Sequence, residues 1–263
     1  MSVAIVTGHP AATSRSALRR SISASSPRIA ARRRNSVLVS AGGICAMSAT
    51  ALARLAIFRL EERGVPPETT FGAVQTLDEA SLALCEGRFQ DLEAQERIDL
   101  SVDAYMEMAA RKTGALYACA MRLGAMVVGA EDLVVDAMRL CGASLGVAAQ
   151  IRGDLSELWP EDDDAAPSPE VLNKKKLLPV VYAVEKANIH TKRRFGDIYF
   201  KRVLEPDDVT SLRQLLEEQG ARDYCRGLVA RRREEAAGAL DAAGFSADGA
   251  AVVESFAGAL LGD

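Results

Sequence analysis

The sequence predicts an all-α protein, a bundle of long helices. Three observations predict it. From about Ala46 onward, apolar residues recur at three- and four-residue spacing. Runs of β-branched residues alternating with polar ones are scarce. The longest segments carry small residues (Ala115, Gly124, Ala125, Gly142, Gly146, Ala148), which let helix axes approach closely. Composition agrees: 49% hydrophobic and 26% charged residues is the balance of a soluble globular chain, and 263 residues suffice to bury a core. Apolar runs are broken by charge short of the roughly 20 residues that a membrane span needs, so no span is expected.

The elements follow in order. Residues 46–63 read as a helix stopped by Gly64, with Pro66 and Pro67 just beyond. Residues 70–93 form a second helix. Residues 101–129 form a third, with Ser101 as its start signal. Residues 131–158 form a fourth, where Leu133, Ala137, Leu140, Cys141, Ser144, Leu145, Ala148 and Ile151 share one stripe. Glu131 and Asp132 suit the positive end of its dipole, and Pro160 ends it. Residues 161–169 are an acidic, proline-containing loop. Further helices fall near 169–188, 207–219, 222–243 and 247–261, with no internal repeat.

Charge divides the chain. The net charge is −4, yet residues 1–60 hold nine arginines and no Lys, Asp or Glu, so the remainder is strongly acidic. Residues 1–45 are therefore set apart as a basic Ser/Arg-rich leader, poorly ordered, from a helical domain over 46–263. Three readings of the leader stay open: an organelle transit peptide, a basic arm contacting phosphates, and a stretch whose composition reflects a GC-rich gene. Nucleic acid is not the expected partner, because the body is acidic and aromatics make up only 5%. Cys45, Cys85, Cys119, Cys141 and Cys225 are widely spaced without a CxxC pair, as in a reducing compartment. The expected location is cytoplasmic, with organelle import through the leader as the alternative. His9 and His190 leave little for histidine-based catalysis or metal binding.

Four local patterns carry chemistry. The first is Gly87-Arg88-Phe89-Gln90-Asp91. The second runs from Tyr105-Met106-Glu107-Met108 to Lys112-Thr113-Gly114-Ala115-Leu116. The third is Gln150-Ile151-Arg152-Gly153-Asp154-Leu155-Ser156-Glu157. The fourth is Lys174-Lys175-Lys176-Leu177-Leu178-Pro179-Val180-Val181. In order and spacing they resemble the trans-isoprenyl diphosphate synthases, the polyprenyl synthetase family. The resemblance runs from about Ala46 to the C-terminal region. It implies a helical bundle of the isoprenyl synthase type, here without the first helices, as in an N-terminally truncated or degenerate member. It also implies that Lys112, Thr113 and Lys175 hold diphosphate oxygens and that Gln150 belongs to the same catalytic set. Ammonium groups supply charge-assisted bonds to phosphate and a threonine hydroxyl adds a neutral donor. For Lys112, spacing alone favours a solvated lysine on a helix face.

The family's metal chemistry rests on two DDxxD motifs whose carboxylates bind Mg²⁺, and Mg²⁺ binds the allylic diphosphate. The second motif corresponds here to Gly153-Asp154-Leu155-Ser156-Glu157, which leaves Asp154 and Glu157 as metal candidates, weighed evenly against solvated helix-end carboxylates. No Asp or Glu precedes Glu61, so the first motif is missing, and a frameshift near residue 48 would explain both its loss and the change of composition. Glu161-Asp162-Asp163-Asp164 reads as a solvated loop, and Lys192-Arg193-Arg194 and Arg231-Arg232-Arg233 as solvated helix faces. Tyr105, Met108 and Met121 suit a prenyl tunnel or core packing equally, and Trp159 a helix end.

Two functions remain open. One is a prenyltransferase of isoprenoid biosynthesis that condenses isopentenyl diphosphate with an allylic diphosphate, impaired by its lost carboxylates. The other is a non-catalytic subunit or pseudoenzyme partner of an intact synthase. The resemblance implies isoprenyl diphosphates as substrates and a dimer, either with itself or with a full-length synthase.

Overall fold

The computed structural model describes residues 49–97, 99–162, 166–201 and 204–262. The chain divides into a unit Met1–Ala53, of which residues 49–53 are described and helical, and a unit Arg54–Asp263. The basic leader, residues 1–45, lies outside the described residues, as do Asp163 and Asp164.

Within Arg54–Asp263 the described residues are helical and contain no strand. Residues 54–58 are helical, and a 3₁₀ turn Glu61–Arg63 follows. It ends at Gly64, whose φ of 85° is the left-handed cap expected of a glycine stop. Ten helices come next: α1 (Pro67–Ala94), α2 (Val102–Ala109), α3 (Ala115–Val127), α4 (Asp132–Leu158), α5 (Pro169–Leu172), α6 (Leu178–Lys186), α7 (Ile189–Tyr199), α8 (Pro206–Glu218), α9 (Ala221–Ala242) and α10 (Ala247–Leu261). Ser101 caps α2 as its sequence position predicts, its side chain accepting from Ala104 N. The Glu185 carboxylate of α6 adds a 2.6 Å bond from Val102 N, tying that helix start to the core.

Three features differ from the sequence reading. The predicted 101–129 helix contains a π turn, Ala110–Gly114, between α2 and α3. The predicted 169–188 helix is two helices joined by a non-helical link, Asn173–Leu177. Pro179 lies in the first turn of α6, where its missing N–H leaves no helical bond unmade, and Leu177 before it is extended. Upstream of Leu177, Lys174 adopts a left-handed φ of 59° that no helix continues through. Helix α7 falls where the sequence marks no helix; its start is fixed by Asn188, whose side chain accepts from Thr191 N.

Helix α4 is the axis of the bundle and packs most extensively on α3 and α9. Ala137, Cys141, Leu145, Ala148 and Ile151 of its predicted stripe are buried, whereas Leu133 and Leu140 are exposed. Each fully buried Leu or Ile contributes about 1.5–3 kcal/mol relative to exposure. By length and composition α4 alone among the described residues matches a membrane span, but it carries the buried Asp154 and forms the core of this bundle. The first half of α4 packs on α9 and α10 through Leu240, Ala257 and Leu261. Its second half meets Tyr105, Met108, Leu178, Val181 and Cys225. Its last residue, Leu158, joins a cluster with Val180, Phe195, Val209, Leu212 and Leu216. Trp159 caps α4 as expected of a helix end, with its Nε1 donating to Glu217 at 3.0 Å and the Arg222 guanidinium over its ring.

Candidate functional site

Glycines bring the motif helices into contact. A Cβ on Gly87 of α1 would lie 2.4 Å from Lys112 N, so α1 touches the π turn through bare backbone. One turn further along α1, Asp91 then faces Lys112, and Lys112 Nζ donates to Asp91 Oδ2 at 2.9 Å. Both side chains are about nine-tenths buried. Gly146 of α4 plays the same part on the other side, since a Cβ there would lie 2.8 Å from Gly114 Cα. One turn on, Gln150 Oε1 accepts the Thr113 hydroxyl at 2.7 Å. The adjacent residues Lys112 and Thr113 thus engage two different helices.

Gln150 continues the chain of bonds. Its Nε2 donates to Asp154 Oδ1 at 3.1 Å. Asp154 Oδ2 accepts the Tyr105 hydroxyl at 2.5 Å and Leu178 N at 2.8 Å. Asp154 is only 3% exposed. Burial raises its carboxyl above the usual range, against the lowering pull of Tyr105, Leu178, Lys112 and Lys175. Burial, then the neighbouring Asp154 charge, pushes the Tyr105 hydroxyl well above its usual value.

Lys175 occupies the link before α6 and pairs with Glu170 Oε2 at 2.9 Å. Burial pulls its ammonium down, but Glu170, Asp91 and Asp154 outweigh this and leave it raised. Lys112, Lys175, Asp91 and Asp154 therefore form one electrostatic cluster built from α1, the π turn, α4 and the link.

The four predicted catalytic residues fall into two groups. Thr113 and Gln150 are bonded directly, and Lys112 adjoins Thr113 in sequence. Lys175 pairs with Glu170 and joins them through the charge of Asp91 and Asp154. Three contributors to the polar cluster are not marked as such by the sequence: Asp91, Tyr105 and Glu170. Asp91 stands in the motif Gly87–Asp91, and its four-residue spacing from Gly87, which puts both on one helix face, is the signal that points to it. The sequence suits Tyr105 to a prenyl tunnel or to core packing; its ring is in the core and its hydroxyl in the polar chain. Met108 is buried in the same cluster, and Met121 packs beside the cluster of α4, α9 and α10. Nothing in the sequence marks Glu170 as the partner of Lys175.

The metal candidates sit differently. Glu157 is half-buried on α4, three residues beyond Asp154. The oxygens of Asp154 already accept from three donors and face the interior. Among the described residues no group of three or more His, Cys, Asp or Glu side chains could hold a metal ion. Mg²⁺ takes hard oxygen ligands in near-octahedral array, and the described residues do not fit it. Of the acidic run, Glu161 and Asp162 are exposed. Lys192, Arg193 and Arg194 form an exposed face, with Arg194 paired to Glu218; Arg231 is exposed, while Arg232 and Arg233 are half-buried and pair with Glu235 and Glu254.

The model of a known family, described as polyprenyl synthetase, matches residues 16–216, beginning inside the basic leader. Over 167 residues the chain is 33% identical to a geranylfarnesyl diphosphate synthase of Aeropyrum pernix, covering 62% of this chain and 51% of that one. It is 36% identical over 115 residues to a geranylgeranyl diphosphate synthase of Mycobacterium tuberculosis, covering 43% and 33%. A polyprenyl synthetase from Streptomyces coelicolor A3(2) superposes with a TM-score of 0.68 at 30% identity, over 80% of this chain and 64% of that one. A polyprenyl synthase from Caulobacter crescentus CB15, complexed with calcium and isoprenyl diphosphate, superposes with a TM-score of 0.66 at 26% identity, over 74% and 60%. The chain spans about half the length of the Aeropyrum relative and less of the Mycobacterium one.

Proposed function

We propose a prenyltransferase function from one premise: this chain belongs to the polyprenyl synthetase family. The reaction is condensation of isopentenyl diphosphate with an allylic diphosphate. The observation that carries the reading is the convergence of four separate motifs on one partly buried polar cluster, centred on the 2.7 Å bond between Thr113 and Gln150.

The chemistry follows from the donors. An ammonium has three N–H groups. Lys112 spends one on Asp91 and Lys175 one on Glu170, which leaves the others for diphosphate oxygens. As the allylic C–O bond breaks, its electron pair leaves with the diphosphate, and fixed positive charge beside that leaving group lowers the barrier. The double bond of isopentenyl diphosphate then attacks the allylic carbon, and loss of a proton restores an alkene. Thr113 donates its single hydroxyl proton to Gln150 and so orients that side chain.

The family is generally Mg²⁺-dependent, yet the described residues do not assemble a magnesium site. That observation favours one second reading, a non-catalytic subunit that pairs with itself or with an intact synthase.

A condensation assay on the full chain tests the first reading. Isopentenyl diphosphate, a set of allylic diphosphates and Mg²⁺ are supplied and prenyl products are detected by mass. Product that is lost in Lys175→Ala is the expected result. No product from a folded chain, together with co-purification with a full-length synthase and a change in that enzyme's product length, establishes the second reading instead.

A further inference from the structure

We infer that Asp154 fastens the lysine-bearing link to the core rather than ligating a metal, and that Tyr105, which holds Asp154, is a positioning residue for diphosphate binding. The inference rests on the diphosphate-binding reading above.

The link Asn173–Leu177 carries Lys174, Lys175 and Lys176, and it is pinned along its length. Lys174 Nζ donates to the carbonyls of Tyr199 (2.8 Å) and Lys201 at the end of α7. Lys176 lies 5.5 Å from the centre of the Tyr199 ring. Lys174 is the one non-glycine residue with positive φ among those described. Such a backbone persists only where its surroundings over-determine it, and it concentrates at functional sites.

The far end of the link is held by Asp154. Leu178 N is among the first amides of α6, which have no partner within the helix, and Leu177 at its N-cap offers no polar side chain. Asp154 Oδ2 takes that amide, placing a carboxylate at the positive end of the helix. The same oxygen takes the Tyr105 hydroxyl from α2. The other oxygen takes the Gln150 amide, whose carbonyl takes Thr113. One carboxylate therefore sets the Thr113–Gln150 pair and the Lys175 link in a common frame. Tyr105, 1% exposed, locks the carboxylate from behind.

Calorimetry with inorganic diphosphate and the full chain, in EDTA and in Mg²⁺, tests this. Tyr105→Phe removes one hydroxyl and keeps shape and charge. It is expected to weaken metal-free diphosphate binding about tenfold, the effect of one charge-assisted bond. Lys175→Ala weakens binding as well. If Tyr105 acts through the link, the double variant loses less than the sum of the two, whereas independent effects add. Asp154→Asn is expected to weaken binding in EDTA. Removing a negative charge beside an anion site would by Coulomb's law do the opposite.

Wild-type binding by Tyr105→Phe in EDTA, while Lys175→Ala binds poorly, overturns the inference and leaves the diphosphate reading standing. Full additivity also overturns it. A loss in Asp154→Asn confined to Mg²⁺ returns that residue to the metal. A wild-type chain that binds no diphosphate in either buffer sinks both readings. Thermal melts confirm the fold of each variant, and should Tyr105→Phe lose its structure, Asp154→Asn carries the same comparison.

Discussion

Lys112 and Asp91 show how much a single buried pair asks of its neighbours. Two charges taken from water are tolerated only because each satisfies the other at 2.9 Å. Asp91→Ala would leave the Lys112 ammonium buried without a counter-charge. The expected cost is about 3–5 kcal/mol, the range for breaking a buried pair, read as a drop in the urea midpoint. Replacing both by apolar residues of similar volume, Lys112→Met with Asp91→Leu, should recover most of that stability. It should also abolish diphosphate binding, which separates the residue's structural role from its role at the site. The half-exposed Lys175–Glu170 pair contributes little stability by comparison.

Among elements, α4 contains a built-in contrast. Gly146 and Gly153 sit seven residues apart on one helix, and the same substitution should act on them with opposite sign. Gly146→Ala pushes a methyl against Gly114 Cα at 2.8 Å and Thr113 O at 3.0 Å, backbone that cannot rotate away. It should destabilise the fold by about 1–3 kcal/mol, the usual range for overpacking, and separate Thr113 from Gln150. Gly153→Ala meets open space and should stabilise by up to about 1 kcal/mol through helix propensity alone. Chemical denaturation of the two variants checks both signs. Helix α2 offers a smaller test of the same kind: Ser101→Ala should cost about 1 kcal/mol by leaving the Ala104 amide uncapped.

The whole molecule registers its buried thiols in its response to alkali. Burial lifts Cys141 from the ordinary 9.0 to about 11 and Cys225 to about 12. The folded chain therefore keeps both protons over a pH range in which the unfolded chain loses them. Stability from these two groups is complete below pH 9.0 and is lost as pH rises toward 11 and 12. The melting temperature should fall over that window, and less steeply in Cys225→Ala once its own packing cost is subtracted at neutral pH. Among the described cysteines Cys85 alone is exposed, so a thiol reagent at neutral pH should label it well before Cys119, Cys141 or Cys225, as peptide mass mapping would show.

The sequence by itself determined the helical class, most helix limits and the family. Those depend on local signals: the 3.6-residue apolar period, Ser101 as a cap, Gly64 as a stop, and four motifs in order. It also marked Lys112, Thr113, Gln150 and Lys175 as a set, through resemblance. What only the tertiary structure decided was who partners whom. The identity of Asp91 as the counter-charge of Lys112 depends on how closely Gly87 lets α1 approach the π turn. Asp154 reads as a metal candidate along the chain, but in the fold it is enclosed by Tyr105 from α2 and Leu178 from α6. A spacing pattern places a carboxylate on a face of its own helix. Which donors fill the space opposite that face is set by the packing of other helices, and local periodicity carries no record of it.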